Sequence, residues 1–300
     1  MTAPVTPSLA TLTASLAAAP TPAQQALREG DALRALQLLT EQVRSRPQDV
    51  RLRVFLFQLL CVTGQWERAL NQLKVAQELD AATLPMVQTY REAISCELLR
   101  QAVFAGRTLP MLFGEPEPWL ALLLEALLRQ GRGDHDAAQA LRSQALAQAP
   151  ASSGRLDGQA FSWIADADER LGPVLEAIIN GRYYWLPWQR LSRMALDPPQ
   201  DLRDAVWMPA HFHFSHGGEA VGLIPTRYPA TDLARGDNLA LARRTEWLAD
   251  GAGGGYLGQG QRLLVTDGAE VGLMDVRLVE VDDLAEADDL QPVAQDGAPA

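Results

Sequence analysis

The run His211-Phe212-His213-Phe214-Ser215-His216, with Glu219 close behind, gathers three of the four histidines in the sequence. Side chains alternate along an extended strand, so His211 and His213 would share one face and Phe212 and Phe214 the other. Such a pair is the start of a zinc-type site. A third ligand would come from His216, Glu219 or a distant aspartate, with an open position if the ion served metal-dependent hydrolysis. Strand spacing alone is a weak signal, and a sheet edge of exposed imidazoles between buried phenylalanines accounts for the same residues.

Asp166-Ala167-Asp168-Glu169-Arg170 brings carboxylates together, but acids of this kind are also what the first turn of a helix prefers. With Leu171, Val174, Leu175, Ile178 and Ile179 following at helical spacing and Gly181 to close, the segment 166–180 reads as a capped helix. No Ser, Cys or Lys stands in a nucleophile motif such as Gly-x-Ser-x-Gly. Gly253-Gly254-Gly255-Tyr256-Leu257-Gly258 matches G-x-G-x-x-G in letters, yet it precedes a strand-like segment and opens no helix, so it reads as a hairpin loop. Gly222-Leu-Ile-Pro-Thr-Arg-Tyr-Pro229 ends an apolar strand and offers Arg227 and Tyr228 in a proline-stiffened loop. Those residue types suit an interface, or a braced loop with Arg227 paired internally.

The elements that position these residues begin with a repeat. Gly30, Arg34, Ala35, Leu36 and Leu39 recur 34 positions later as Gly64, Arg68, Ala69, Leu70 and Leu73, the period of a tetratricopeptide-type (TPR) helical hairpin. Glycine ends the first helix of each unit, alanine five residues on permits close helix approach, and leucines supply the apolar stripe. A third copy runs through Gly133, Ala138, Ala145 and Pro150. Helices are expected over 22–29, over 49–61 as a buried central helix, over 84–104 with Met86, Tyr90, Ile94 and Leu98 as its stripe, and over 119–130 and 134–149. Trp66, two residues past a turn glycine, is expected to pack between helices.

Beyond 150 the periodicity changes. Strand-like segments fall at 161–165, 183–188, 206–214, 220–224, 263–266 and 271–279. The expected organisation is a disordered tail over 1–20, a TPR-like domain over 21–150, a linker over 151–160, an α+β domain on an antiparallel sheet with one or two helices over 161–281, and an acidic tail over 282–300.

A formal charge of −11 argues against a phosphate-binding surface, and no apolar run is long enough to span a bilayer. Cys61 and Cys96, two thiols in 300 residues, suit a reduced cytoplasmic chain. No cofactor is implied.

Several segments together resemble the ImpE/TagJ (SciE-type) accessory proteins of bacterial type VI secretion: 51–61, Gly114-Glu-Pro-Glu-Pro-Trp119, Trp163-Ile-Ala-Asp-Ala-Asp168, Gly181-Arg-Tyr-Tyr-Trp185, 222–229 and Thr245-Glu-Trp247. That resemblance implies a cytoplasmic, non-enzymatic adaptor. Its partner would be the N-terminal helix of the small contractile-sheath subunit (TssB type), with a link to the ClpV-type unfoldase that recycles sheath. Stacked hairpins offer a groove for such a helix. Phe55, Phe57, Trp66, Trp119, Arg227 and Tyr228 are the interface-type residues expected to contact it, with burial in the core as their competing fate.

Overall fold

The computed structural model describes residues 19–114, 116–250 and 255–282. Nearly all of both expected tails, and residues 251–254 of the glycine-rich loop, lie outside that range.

Thr21 opens α1 (Pro22–Arg28) with a reciprocal cap. Its hydroxyl accepts from Gln24 N (3.3 Å) while its own N–H donates to Gln24 Oε1 (2.9 Å), and Pro22 stands where no helical N–H is needed. Asp31 and Asp49 cap α2 (Ala32–Ser45) and α3 (Val50–Val62) by accepting from Arg34 N and Leu52 N. There follow α4 (Trp66–Leu79), α5 (Leu84–Phe104), α6 (Pro118–Gly131) and α7 (His135–Gln148). Helices α1–α2, α3–α4 and α6–α7 pair as three hairpins, and Ala35 and Ala69 are fully buried where their helices meet. The stripe on α5 departs from expectation. Steps of four overshoot the 3.6-residue turn, so the buried face runs through Val87, Tyr90, Ile94 and Glu97 while Leu98 is exposed.

The turn glycines Gly30, Gly64 and Gly133 all take positive φ (+86°, +68° and +81°). Two of them also meet the segment after residue 226. A Cβ at Gly64 would lie 3.1 Å from Leu233 Cδ1 and one at Gly30 2.6 Å from Asn238 Oδ1, whereas one at Gly133 would meet nothing within 4 Å. We expect Gly64→Ala to cost about 2 kcal/mol and Gly133→Ala about 1 kcal/mol, the difference being the contact. Urea unfolding of the two variants side by side checks this, and equal losses would refute it.

The remaining chain is built on strands β1 (Met111–Leu112), β2 (Gly154–Leu156), β3 (Gln159–Phe161), β4 (Ile164–Asp166), β5 (Val174–Ile179), β6 (Arg182–Pro187), β7 (Leu191–Leu196), β8 (Trp207–Phe214), β9 (Glu219–Pro225), β10 (Thr245–Ala249), β11 (Tyr256–Gly260), β12 (Leu263–Thr266), β13 (Glu270–Gly272) and β14 (Leu278–Val281). Nine of them form one sheet in the order β1-β6-β5-β9-β8-β7-β14-β2-β3, antiparallel except where β1 meets β6. Beside it stand the sheet β13-β12-β4 and the ribbon β10-β11.

Three expectations are corrected here. The segment 166–180 is no helix. It is the end of β4, a turn, and β5, all six of whose residues are buried. Val174 and Ile178 face the cluster shared with the helices, while Leu175, Ala177 and Ile179 face a second cluster behind the sheet. A strand covered on both faces reads as an unbroken apolar run, and its spacing fits a helix equally well. The helical turns of this region are the short 3-10 turns Trp188–Arg190, Leu202–Ala205 and Leu233–Arg235. Residues expected as linker hold the β2–β3 hairpin, joined to the sheet through β14. The strand expected over 271–279 is divided between β13 and β14, which belong to different sheets.

The first hydrophobic cluster runs from Ala23 to Leu241 without regard to the change at residue 150. Trp207 is its hinge point: its ring lies 6.0 Å from Trp66 and 5.6 Å from Tyr90, and Phe57 lies 5.6 Å beyond Tyr90.

Candidate functional site

His211 is exposed and His213 half-buried on one face of β8, while Phe212 and Phe214 are buried on the other. His213 Nδ1 lies 3.2 Å from Glu219 Oε1 on the neighbouring strand. His216 turns away to stack beside Phe214, with centroids 5.5 Å apart. Among the described residues no three His, Cys, Asp or Glu side chains converge on a point that would hold a metal ion.

The six interface-type residues are placed inside. Phe57, Trp66, Trp119, Arg227 and Tyr228 are all buried, and Phe55 is half-buried against the same core. In this structure their side chains contact the chain itself. Arg227 shows why. Its Nη1 donates to Val62 O and Ala240 O (both 2.7 Å) and its Nη2 to Cys61 O (3.3 Å), so it closes the C-terminal end of α3 from across the sheet. Terminal helix carbonyls have no partner of their own, and a guanidinium supplies several donors at once. Burial pushes this guanidinium down to about 10.

Beneath the sheet lies a buried network of charge. Glu176 on β5 accepts from Arg100 Nε (2.6 Å) and Nη2 (2.9 Å) on α5, and also from Arg262 and the Tyr183 hydroxyl. Arg262 Nη1 donates to Asp166 Oδ2 (2.7 Å), and Arg100 Nη2 donates to Arg227 O (2.7 Å). Burial alone would raise Glu176, but Arg100 and then Arg262 outweigh it and hold the carboxyl at about 2. For Asp166 burial wins against Arg262 and pushes it up to about 7. Asp166 and Asp168, expected as helix caps, are thus partners of buried arginines. Asp168 accepts from Arg170 Nε (2.8 Å) and from Gly258 N (3.1 Å), which ties the turn after β4 to β11. The groups are paired with one another and lie under the surface, an arrangement that fixes the register of α5, β4, β5 and β11.

Above this network the surface opens into a trench. Along 163–169 burial alternates: Ile164, Asp166 and Asp168 point inward, while Ala165 and Ala167 form a shallow floor between exposed Trp163 and Glu169. One half, about 380 Å³, lies between this floor, Trp163 and the end of α7 at Leu146 and Pro150. The other, about 350 Å³, lies between Ala167, Glu169, Trp247 and Tyr256. Ala167 and Glu169 line both. Trp247 is 38% and Tyr256 61% exposed, and Tyr228 backs Trp247 at 5.5 Å between ring centroids. Gly258, opposite Trp247 in the β10–β11 pairing, leaves room for the Tyr228 ring, which a Cβ would meet at 2.4 Å. Sequence reasoning named Trp163, Trp247 and Tyr256 only as members of segments; nothing in one dimension showed that they converge.

A TPR-like helical region whose core continues into a mixed, largely antiparallel sheet, with an aromatic trench on its surface, defines a class of repeat-bearing α+β proteins. Residues 158–280 match the profile of the ImpE protein family, and residues 26–94 match a tetratricopeptide repeat. The type VI secretion system accessory component TagJ of Pseudomonas aeruginosa is 54% identical over 256 residues, covering 85% of this chain and 89% of that protein. The chain belongs to the ImpE/TagJ family of type VI secretion accessory components. A crystal structure of a Vibrio parahaemolyticus protein superposes with a TM-score of 0.81 at 27% identity, over 89% of this chain and 100% of that one.

Proposed function

We propose that this chain is a non-enzymatic cytoplasmic adaptor of a type VI secretion system. It takes the N-terminal helix of the small sheath subunit and is linked through it to sheath assembly or to recycling by a ClpV-type unfoldase. The observation that carries this reading is the extended similarity to a type VI accessory component, which runs through the helical repeats and the sheet alike. Repeat-built proteins hold partners on extended surfaces, and an amphipathic helix in an apolar groove is a recurrent mode of recognition. No described helix is long and apolar enough to cross a membrane, and both cysteines are free and buried.

Calorimetric titration of a peptide of that sheath helix into the full chain is expected to give saturable binding with a Kd of about 1–10 µM. No heat at about 100 µM peptide, with the protein shown to be folded, would sink the proposal. The full chain is required because residues 21–150 and the sheet share one hydrophobic cluster.

A further inference from the structure

We propose that the trench between Trp163 and Trp247 is the docking site of the adaptor, and that its occupant is an amphipathic helix whose apolar stripe is flanked by Lys or Arg. The inference rests on the adaptor reading for the identity of the partner, but its own argument comes from the trench.

The hairpin turns at Gly30 and Gly64 and the C-terminal end of α3 are occupied from within. Trp207 packs on Trp66 and Tyr90, Arg227 closes α3, and Leu233 and Asn238 cover the turns at Gly64 and Gly30. An incoming helix therefore needs a different apolar surface. The trench provides one, with small alanines on its floor and aromatic side chains at its two ends, a lining that suits the apolar stripe of a helix. Addition of a strand is disfavoured along β4. One side of β4 pairs with β12, and on the other the Asp166 N–H already donates to Gly172 O (2.7 Å).

Charge selects the flank. Glu169 lines both halves, and Asp267, exposed, accepts from Ser162 N (2.9 Å) beside Trp163. No Lys or Arg lines either half among the described residues. Arg142 and Arg170 nearby are buried, and their guanidiniums donate to Gln130, Gln139 and Asp168. The chain leaves the described range at Asp282, which bonds to Ser153 two residues past Ala151 at the trench end, and its next residues include Asp283, Glu286, Asp288 and Asp289. Those residues carry the wrong sign to fill an acid-rimmed trench.

The test uses the full chain and three peptides: the sheath-subunit helix, a designed helix with a leucine stripe flanked by lysines, and the same helix flanked by glutamates. Binding is read by calorimetry and by the emission of Trp163 and Trp247, the two exposed tryptophans. The lysine-flanked helix should bind at least about tenfold more tightly than its glutamate twin, and the preference should shrink with salt. Trp247→Ala and, independently, Tyr256→Ala should each weaken binding about tenfold or more. Glu169→Lys should reverse part of the charge preference.

If the sheath helix binds wild type and all three variants within twofold, the trench is the wrong place while the adaptor reading stands. If the sheath helix fails but the lysine-flanked helix binds in a Trp247-dependent way, the trench stands and the adaptor reading falls. If no peptide shows dependence on Trp247 or Tyr256, the inference is overturned. It is likewise overturned if removal of residues 283–300 raises affinity tenfold, which would make the tail the occupant, or if Trp247→Ala dissolves a dimer, which would make it a second copy.

Discussion

Glu176→Gln is expected to lower stability by about 3–5 kcal/mol at neutral pH, because it leaves two guanidiniums buried against a neutral amide. Arg100 reaches this carboxylate with two donors and Arg262 with another, and all three side chains are at most 5% exposed. A loss of that size lowers Tm by roughly 10 °C in a chain of this length. The acid limb of the stability curve is a second readout. Glu176 is held at about 2, below its ordinary 4.5, so its contribution is complete above about pH 4.5 and is lost as pH falls toward 2. Asp166 acts in the opposite sense. With its carboxyl raised to about 7, its contribution is largest in acid and declines as pH rises through that value. Glu176→Gln should therefore flatten the acid limb and, because the Glu176 charge helps to raise Asp166, also weaken the decline between pH 5 and 7. Urea unfolding from pH 3 to 8 measures both, and a loss below about 1 kcal/mol at pH 7 would show that the arginines do not depend on this carboxylate.

Trp207→Ala should cost about 3–5 kcal/mol, the price of an indole-sized cavity in a full core. It also removes the donor that Trp207 Nε1 offers Glu97 Oε1 at 3.1 Å. The diagnostic point is where the loss is felt. Because Trp207 on β8 packs against Trp66 and Tyr90 in the helical region, helical circular dichroism and tryptophan emission should unfold together, at a lower denaturant midpoint than in wild type. A fall in the emission midpoint with the helical midpoint unmoved would mean that the two regions are stabilised independently.

The helical repeat was legible because its signals are local. Glycine at positive φ, an aspartate cap and an alanine at a close crossing each leave a mark within a few residues, and the period of 34 aligned them. Strands β8 and β9 were legible by alternation. The failures share one cause, which is that they depend on distant partners. Asp166 looks the same whether it caps a helix or meets an arginine, and the arginine it meets is 96 residues away. Strand β5 loses its alternation because both faces are covered. Arg227, Tyr228, Trp66 and Trp119 belong to residue types shared by interfaces and by cores, and only the fold decides between the two. The trench is the converse case, where Trp163, Trp247 and Tyr256 come together from three separate segments.

The buried network also has a consequence for how the chain is made. Arg100 leaves the ribosome 76 residues ahead of Glu176, and Arg262 follows 86 residues after that. At about 5–20 residues per second, roughly 10–30 s separate the first arginine from the last. Until Glu176 emerges the nascent helical half carries Arg100 with Glu97 as its counter-charge, and Phe57 and Tyr90 lack the Trp207 ring until β8 emerges. Until its final strands arrive, the newly synthesised chain exposes apolar surface of the kind that aggregates.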